Sequence, residues 1–225
     1  MEELRLREPG PAQSNELVHF TGRIGAQPAW IPPEITKLDA RQRLDAILGE
    51  ERLRAFAPYG APKRCLCFSE SPPDHLAHLI RAGRFQPWGV VAHRGPILKL
   101  GGGAVAYVPD SVHASFATAG LQHWAVRTGG NSEWMHEREW RLPTETGERS
   151  VGSLAAILVG DDSWRPSPVE TGWVDPTTGE ETPGPEANPY AQPVMGLPRL
   201  WRETEIWVWD TAKRGVVKYA PGVLC

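Results

Sequence analysis

Three observations predict an α+β domain. About nine short runs have strand character, two amphipathic helical segments fall in the first half, and no regular β–α alternation links them. The sheet expected from that order is strongly twisted, split or largely antiparallel. Residues 1–15 are polar with two prolines and read as a loosely held arm, with 16–225 as one domain.

Each element has its own justification. LVHFT (17–21) is a short apolar run suited to a buried strand. In LDARQRLDAILGEERLRAF (38–56), Leu38, Leu44, Ile47, Leu48 and Leu53 recur at helical spacing, so the segment predicts an amphipathic helix with a break near Gly49. RCLCFSE (64–70) is a strand. The two prolines after Ser71 then open a helix that runs to Gly83. WGVVAHR (88–94), AVAYVPD (104–110), WAVRT (124–128), EREWRLP (137–143), AAILVG (155–160), EIWVWD (205–210) and VVKYA (216–220) complete the strands. Residues 165–198, with eight Pro, four Gly and five acidic side chains, read as a loop excursion between two strands, either mobile or a partner-facing lid.

Composition narrows the function classes. Twenty-four basic against 27 acidic side chains give a net charge of −3, so nothing global points to nucleic acid. Locally, residues 75–132 hold Asp110 as their one acid against Arg81, Arg84, Arg94, Lys99 and Arg127, a stretch that either binds phosphates or carries scattered solvated charges. Three cysteines do not make a disulfide framework. No apolar run reaches the roughly 18 residues of a membrane span, and the N-terminus has no secretory apolar region, so no membrane partner and a cytoplasmic location are expected.

Several patterns are weak as sites. GGGAV (101–105) neither opens a helix nor precedes Lys-Ser/Thr, so it reads as a link between strands rather than a phosphate loop. Cys65-x-Cys67 with His75-x-x-His78 does not have the spacing of a known zinc finger or ribbon, so buried thiols and a helix face are the preferred reading and no metal is expected. Ser69 and Glu70 sit where a strand hands over to a helix, a place for either an anion site or a simple cap by Ser69 or Ser71. His19 and Thr21 share one face of a central-looking strand and need hydrogen-bond partners, either structural or from a ligand.

HEREWRLP (136–143) poses the sharpest question. As a strand it would put Glu137, Glu139 and Arg141 on one face and Arg138, Trp140 and Leu142 on the other. The acidic face either is a solvated edge, paired with Arg138 and Arg141, or lines a cleft that needs negative charge.

In this order LVHFT, LDAILGEERL, CFSESP and HEREWRLP resemble the ADP-ribosyltransferase superfamily, most of all its DarT-like nucleic-acid-modifying members and the AbiGi-like abortive-infection proteins of bacteria. The resemblance covers about residues 17–160. It implies a split, mostly antiparallel sheet, NAD as substrate and no metal. It also implies Glu139 as the catalytic glutamate, with Glu137 orienting the acceptor. His19, Phe20 and Thr21 would hold the nicotinamide-side ribose and carboxamide, Ser69 would stand on the central strand, and Arg64, with Arg43 in reserve, would meet the phosphates. Trp134, Trp140 or Trp88 would stack a ring. The expected role is modification of a macromolecule, with DNA or RNA as one acceptor class, in a toxin or phage-defence setting with a cognate antitoxin. The alternatives are a non-catalytic partner on the same fold and a NAD glycohydrolase. The chemistry suits the residues: losing nicotinamide builds positive charge on the ribose, and a fixed carboxylate on a ribose hydroxyl binds that state more strongly than the ground state.

Overall fold

Runs of β-branched, aromatic and leucine side chains are placed so that each of the nine expected strands forms. The computed structural model describes residues 10–25, 31–129 and 134–225. The first half holds β1 (Glu16–Phe20), α1 (Pro33–Thr36), α2 (Ala40–Glu50), β2 (Arg52–Arg54), β3 (Cys65–Glu70), α3 (Pro73–Arg81), β4 (Gly89–His93) and α4 (Arg94–Lys99). Next come β5 (Gly103–Ala104), β6 (Ala106–Val108), α5 (Asp110–Thr118), β7 (Ala125–Arg127), β8 (Glu139–Pro143), β9 (Glu148–Ser150) and β10 (Ala156–Val159). The chain closes with β11 (Val169–Val174), β12 (Glu181–Thr182), β13 (Gln192–Gly196), α6 (Arg199–Glu203), β14 (Glu205–Asp210) and β15 (Gly215–Tyr219).

Eight strands form one sheet in the order β15-β14-β10-β4-β1-β3-β8-β5, antiparallel throughout except for the parallel pair β10–β14. The fold is therefore α+β on a large, mostly antiparallel sheet, with all helices but α6 in the first 118 residues. Both faces of the sheet are covered. Leu44 and Leu48 of α2 and Leu200 and Trp201 of α6 pack with Leu17, Leu66, Val90 and Ile157 in one core, while Leu76 of α3 packs with Val18, Val91, Leu158 and Trp207 in the other. Because β1 alternates between these cores, Leu17 and Val18 are both fully buried. Among the described residues no helix is long and apolar enough to cross a membrane.

Several expectations are corrected. The helix expected over 38–56 starts at Ala40 behind an Asp39–Gln42 capping box, runs through Gly49 and ends at Glu50, where Glu51 turns left-handed (φ 50°). Leu53 then enters β2 and is buried by pairing with β9, so its helical spacing was coincidental. α4 and α5 were not foreseen: Pro96 lies inside the first, and the second buries none of its residues, leaving no apolar stripe to read. The excursion 165–198 is not a bare loop, because β11, β12 and β13 pair as a small antiparallel sheet. Ser167 docks this sheet on α2 by donating its N–H and Oγ–H to the Asp45 carboxylate, at 2.6 and 2.8 Å. Of the arm 1–15, residues 1–9 lie outside the described residues. Ser14 is buried with its N–H on the Glu70 carboxylate, and Asn15 accepts from the Arg94 N–H.

Candidate functional site

The site begins where two central strands part. β1 pairs with β4 along its whole length, but with β3 only at Leu17–Glu70 and Val18–Ser69. One residue further on, a side chain replaces the ladder: the His19 Nδ1 bonds the Cys67 carbonyl at 2.8 Å. A carbonyl only accepts, so Nδ1 carries the hydrogen and Nε2 is left as an acceptor in the neutral ring. Burial holds the His19 pKa below its ordinary 6.5, against the opposing effect of the Cys67 bond. A cleft of about 820 Å³ opens here, with His19, Phe20, Thr21, Cys67, Ser69, Glu137, Glu139 and Arg141 in its lining.

The two glutamates reach this cleft by a route the sequence did not suggest. β8 starts at Glu139, while Glu137 closes a 3₁₀ turn (Met135–Glu137) and Arg138 adopts the left-handed conformation (φ 46°). A turn, not strand alternation, therefore brings the carboxylates to one cleft. The turn and the residue after it are tied down at three carbonyls: Ser69 Oγ donates to that of Glu137 at 2.6 Å, His75 Nε2 to that of His136 at 2.8 Å, and the Glu70 N–H to that of Arg138 at 3.1 Å. Behind it the buried Glu70 carboxylate accepts from Ser14 N–H and Trp140 Nε1. Nor is the acidic face a solvated edge, because β8 lies between β3 and β5.

Glu139 is clamped through both of its oxygens. Arg141 Nε and Nη2 donate to its two oxygens at 2.8 and 3.0 Å, and its N–H donates to Tyr107 Oη at 2.7 Å. The guanidinium is itself buried, and its Nη1 donates to the His123 carbonyl at 3.0 Å. Glu137 pairs with Arg23, whose guanidinium lies over the rings of Trp134 and Phe85, at 4.8 and 5.6 Å from their centroids. Phe20 stacks on Phe85 with the ring centroids 4.3 Å apart.

Arg64 is a correction. Its side chain is exposed and packs against the Gly147 turn, outside the cleft lining. Among the described residues, the arginines that line the cleft are Arg23, Arg43, Arg52, Arg54, Arg127 and Arg141. Arg52 pairs with Glu148, Arg54 with Glu50 and Arg127 with Asp110. Arg43 instead donates to two carbonyls, of Ile35 and Thr21, each at 3.1 Å. Within the acid-poor stretch 75–132, Arg94 is buried beside Glu70 and Arg127 is paired with Asp110.

Other sequence candidates serve the frame. Thr21 Oγ1 donates to the Ala40 carbonyl at 2.8 Å and so pins the start of α2 to β1, while Ser69 Oγ also meets Ser71 Oγ at 2.8 Å. Neither Ser69 nor Ser71 caps α3, whose N-cap is Pro72. Trp88 and Trp140 are core residues; of the three stacking candidates only Trp134 lines the cleft. Cys67 faces Glu139 and Arg141, but His75 bonds Ser71 and the His136 carbonyl, so the thiols and imidazoles do not converge. Arg23, Tyr107 and the clamping role of Arg141 escaped the sequence reading. Only Arg141 had a signal, its place two residues after Glu139 on one face of the strand. Comparison with protein-family models, curated proteins and solved structures gives no match.

Proposed function

We propose that the chain is an NAD-dependent ADP-ribosyltransferase with Glu139 as its catalytic carboxylate. The observation that carries this reading is the gathering of His19, Phe20, Thr21, Glu137 and Glu139, from segments more than a hundred residues apart, around the point where β1 and β3 separate. Of these, His19, Phe20 and the two glutamates suit the parts of NAD, while Thr21 holds the frame. Aromatic surface on Phe20, Phe85 and Trp134 suits a planar pyridinium. The free Nε2 of His19 and the Glu139 carboxylate accept from ribose hydroxyls. Arg43, whose bonds go to carbonyls and not to an acid, offers charge to the pyrophosphate in place of Arg64.

In the reaction the bond between the ribose C1′ and the nicotinamide nitrogen breaks, and its electron pair leaves with neutral nicotinamide. Glu139 stabilises the positive charge left on the ribose. The acceptor's nucleophilic atom then bonds C1′, and its proton passes to Glu137. A macromolecular acceptor, DNA or RNA among the classes to be tried, and a cytoplasmic toxin or phage-defence role with a cognate antitoxin complete the proposal.

A second reading has its own observation in favour. With both oxygens of Glu139 engaged by Arg141, the same cleft would suit a non-catalytic nucleotide-binding partner. Nicotinamide release from NAD by purified protein, with and without mixed DNA, RNA and protein acceptors and beside Glu139→Gln, separates the readings. Acceptor-dependent release lost in the variant supports the transferase, and acceptor-independent release a glycohydrolase. NAD binding without release supports the binding partner.

A further inference from the structure

We infer that Arg141 is the positioning residue of this cleft: its fork occupies one side of the Glu139 carboxylate and aims the rest of it. The inference rests on the transferase reading above and deepens it. A carboxylate has about four acceptor positions. The forked guanidinium of Arg141 fills two, at 2.8 and 3.0 Å. The positions that remain face away from the fork, and Glu139 lines the cleft.

The fork cannot swing away. Arg141 is 3% exposed, and its Nη1 donates to the His123 carbonyl at 3.0 Å, so the guanidinium is fixed from β8 and from the turn before β7. The main chain at Glu139 is fixed from a third side, where Tyr107 Oη accepts its N–H. A carboxylate held in this way can orient a ribose hydroxyl and stabilise positive charge beside it. Glu137, by contrast, sits on a turn and pairs with the half-exposed Arg23.

The test is the steady-state kinetics of nicotinamide release for wild type, Arg141→Lys, Arg141→Met, Glu139→Gln and the Arg141→Met/Glu139→Gln pair, with NAD affinity by calorimetry and melting temperature for each. A misaimed carboxylate loses transition-state contacts, so kcat should fall about a hundredfold in Arg141→Met while the NAD Kd stays within about threefold. Lysine keeps the charge but not the fork, and should recover about a tenth of the lost rate. The paired variant should be no slower than Glu139→Gln alone, because Arg141 acts only through Glu139. A folded Arg141→Met with wild-type kcat overturns the inference, as does a paired variant in which the two losses multiply. If the methionine variant does not fold, wild-type kcat in Arg141→Lys overturns it equally. A wild-type protein that releases no nicotinamide overturns the transferase reading and this inference together, an outcome distinct from an active wild type with indifferent Arg141 variants.

Discussion

His19 and Cys67 meet across a gap that opens one residue after their strands stop pairing: the imidazole Nδ1–H donates to the Cys67 carbonyl at 2.8 Å, in place of a backbone bond. The arrangement makes His19 both a structural rivet and the wall of the cleft. It also sets a pH dependence. Burial lowers the folded-state pKa of His19, and the same cause lowers those of His75 and His123. The unfolded chain therefore binds more protons than the folded one once pH falls below about 6.5. Stability from these three groups is complete above that value and lost as pH falls toward the folded pKa values. Melting temperature should decline between pH 7 and pH 5, and His19→Gln should flatten the decline. An equal slope in that variant would remove His19 from the account.

The pair Glu139–Arg141 predicts an asymmetric cost of mutation. Removing one member of a buried ion pair leaves the other without compensation, at roughly 3–5 kcal/mol. Glu139 has a 13% exposed side chain against 3% for Arg141, so its loss lets some solvation return to the partner on one side only. Arg141→Met should be destabilising within that range by chemical denaturation, and Arg141→Met with Glu139→Leu less so than Arg141→Met alone. A double variant that is worse than the single one would show that the two side chains stabilise the fold independently.

Gly89 marks the seam behind the cleft. A Cβ at this position would lie 2.3 Å from the His19 carbonyl oxygen, which is backbone in the β1–β4 ladder and cannot swing aside. Gly89→Ala should cost about 1–3 kcal/mol through forced backbone shifts. For a chain of this size that means a fall of roughly 2–12 °C in melting temperature. Differential scanning calorimetry checks it, and an unchanged transition would mean that the strands separate without strain.

The contrast between these residues shows what could be read in advance. Strands were legible because burial on both faces selects continuous apolar runs, as in LVHF and AILV. Order along the chain was enough to nominate His19, Thr21 and Glu139 together. It was not enough to assign Thr21 and Ser69, whose hydroxyls are spent on the carbonyls of Ala40 and Glu137. Nor could it separate Arg64 from Arg43, since an arginine's place depends on where its flexible stem finds partners. Period-two alternation misled at Glu137 because a left-handed Arg138 interrupts the strand, a conformation uncommon for such a residue. The small sheet of 165–198 was hidden by its prolines, of which Pro193 lies inside β13 on the edge of that sheet.

Thiol chemistry distinguishes the three cysteines. Burial pushes Cys65 up to about 11 and Cys67 well above the ordinary range, the latter also through its contact with Glu139. Cys225 is exposed at the end of the chain. Because the thiolate is the reactive form, iodoacetamide at pH 8 should label Cys225 first and leave Cys65 and Cys67 protected until the fold opens. Peptide mass spectrometry reads the order, and early labelling of Cys67 would place its thiol in open solvent rather than against Glu139.

Arg43 and Arg64 allow the cleft itself to be tested. Both carry the same charge and lie within one domain, but only Arg43 lines the cleft, while Arg64 lies against Gly147. If the cleft takes NAD by its pyrophosphate, a lost charge-assisted bond from Arg43 costs about 1.5–3 kcal/mol, or roughly a 10- to 150-fold rise in Kd. Arg43→Ala should show that loss in calorimetry, and Arg43→Lys, which keeps the charge but not the donor pattern, a smaller one. Arg64→Ala should bind as the wild type does. Since Arg43 also closes on the Ile35 and Thr21 carbonyls, its variants need a melting curve alongside. A folded Arg43→Ala with undiminished affinity, or an Arg64→Ala that loses it, would place the phosphates elsewhere and return the first candidate of the sequence to the site.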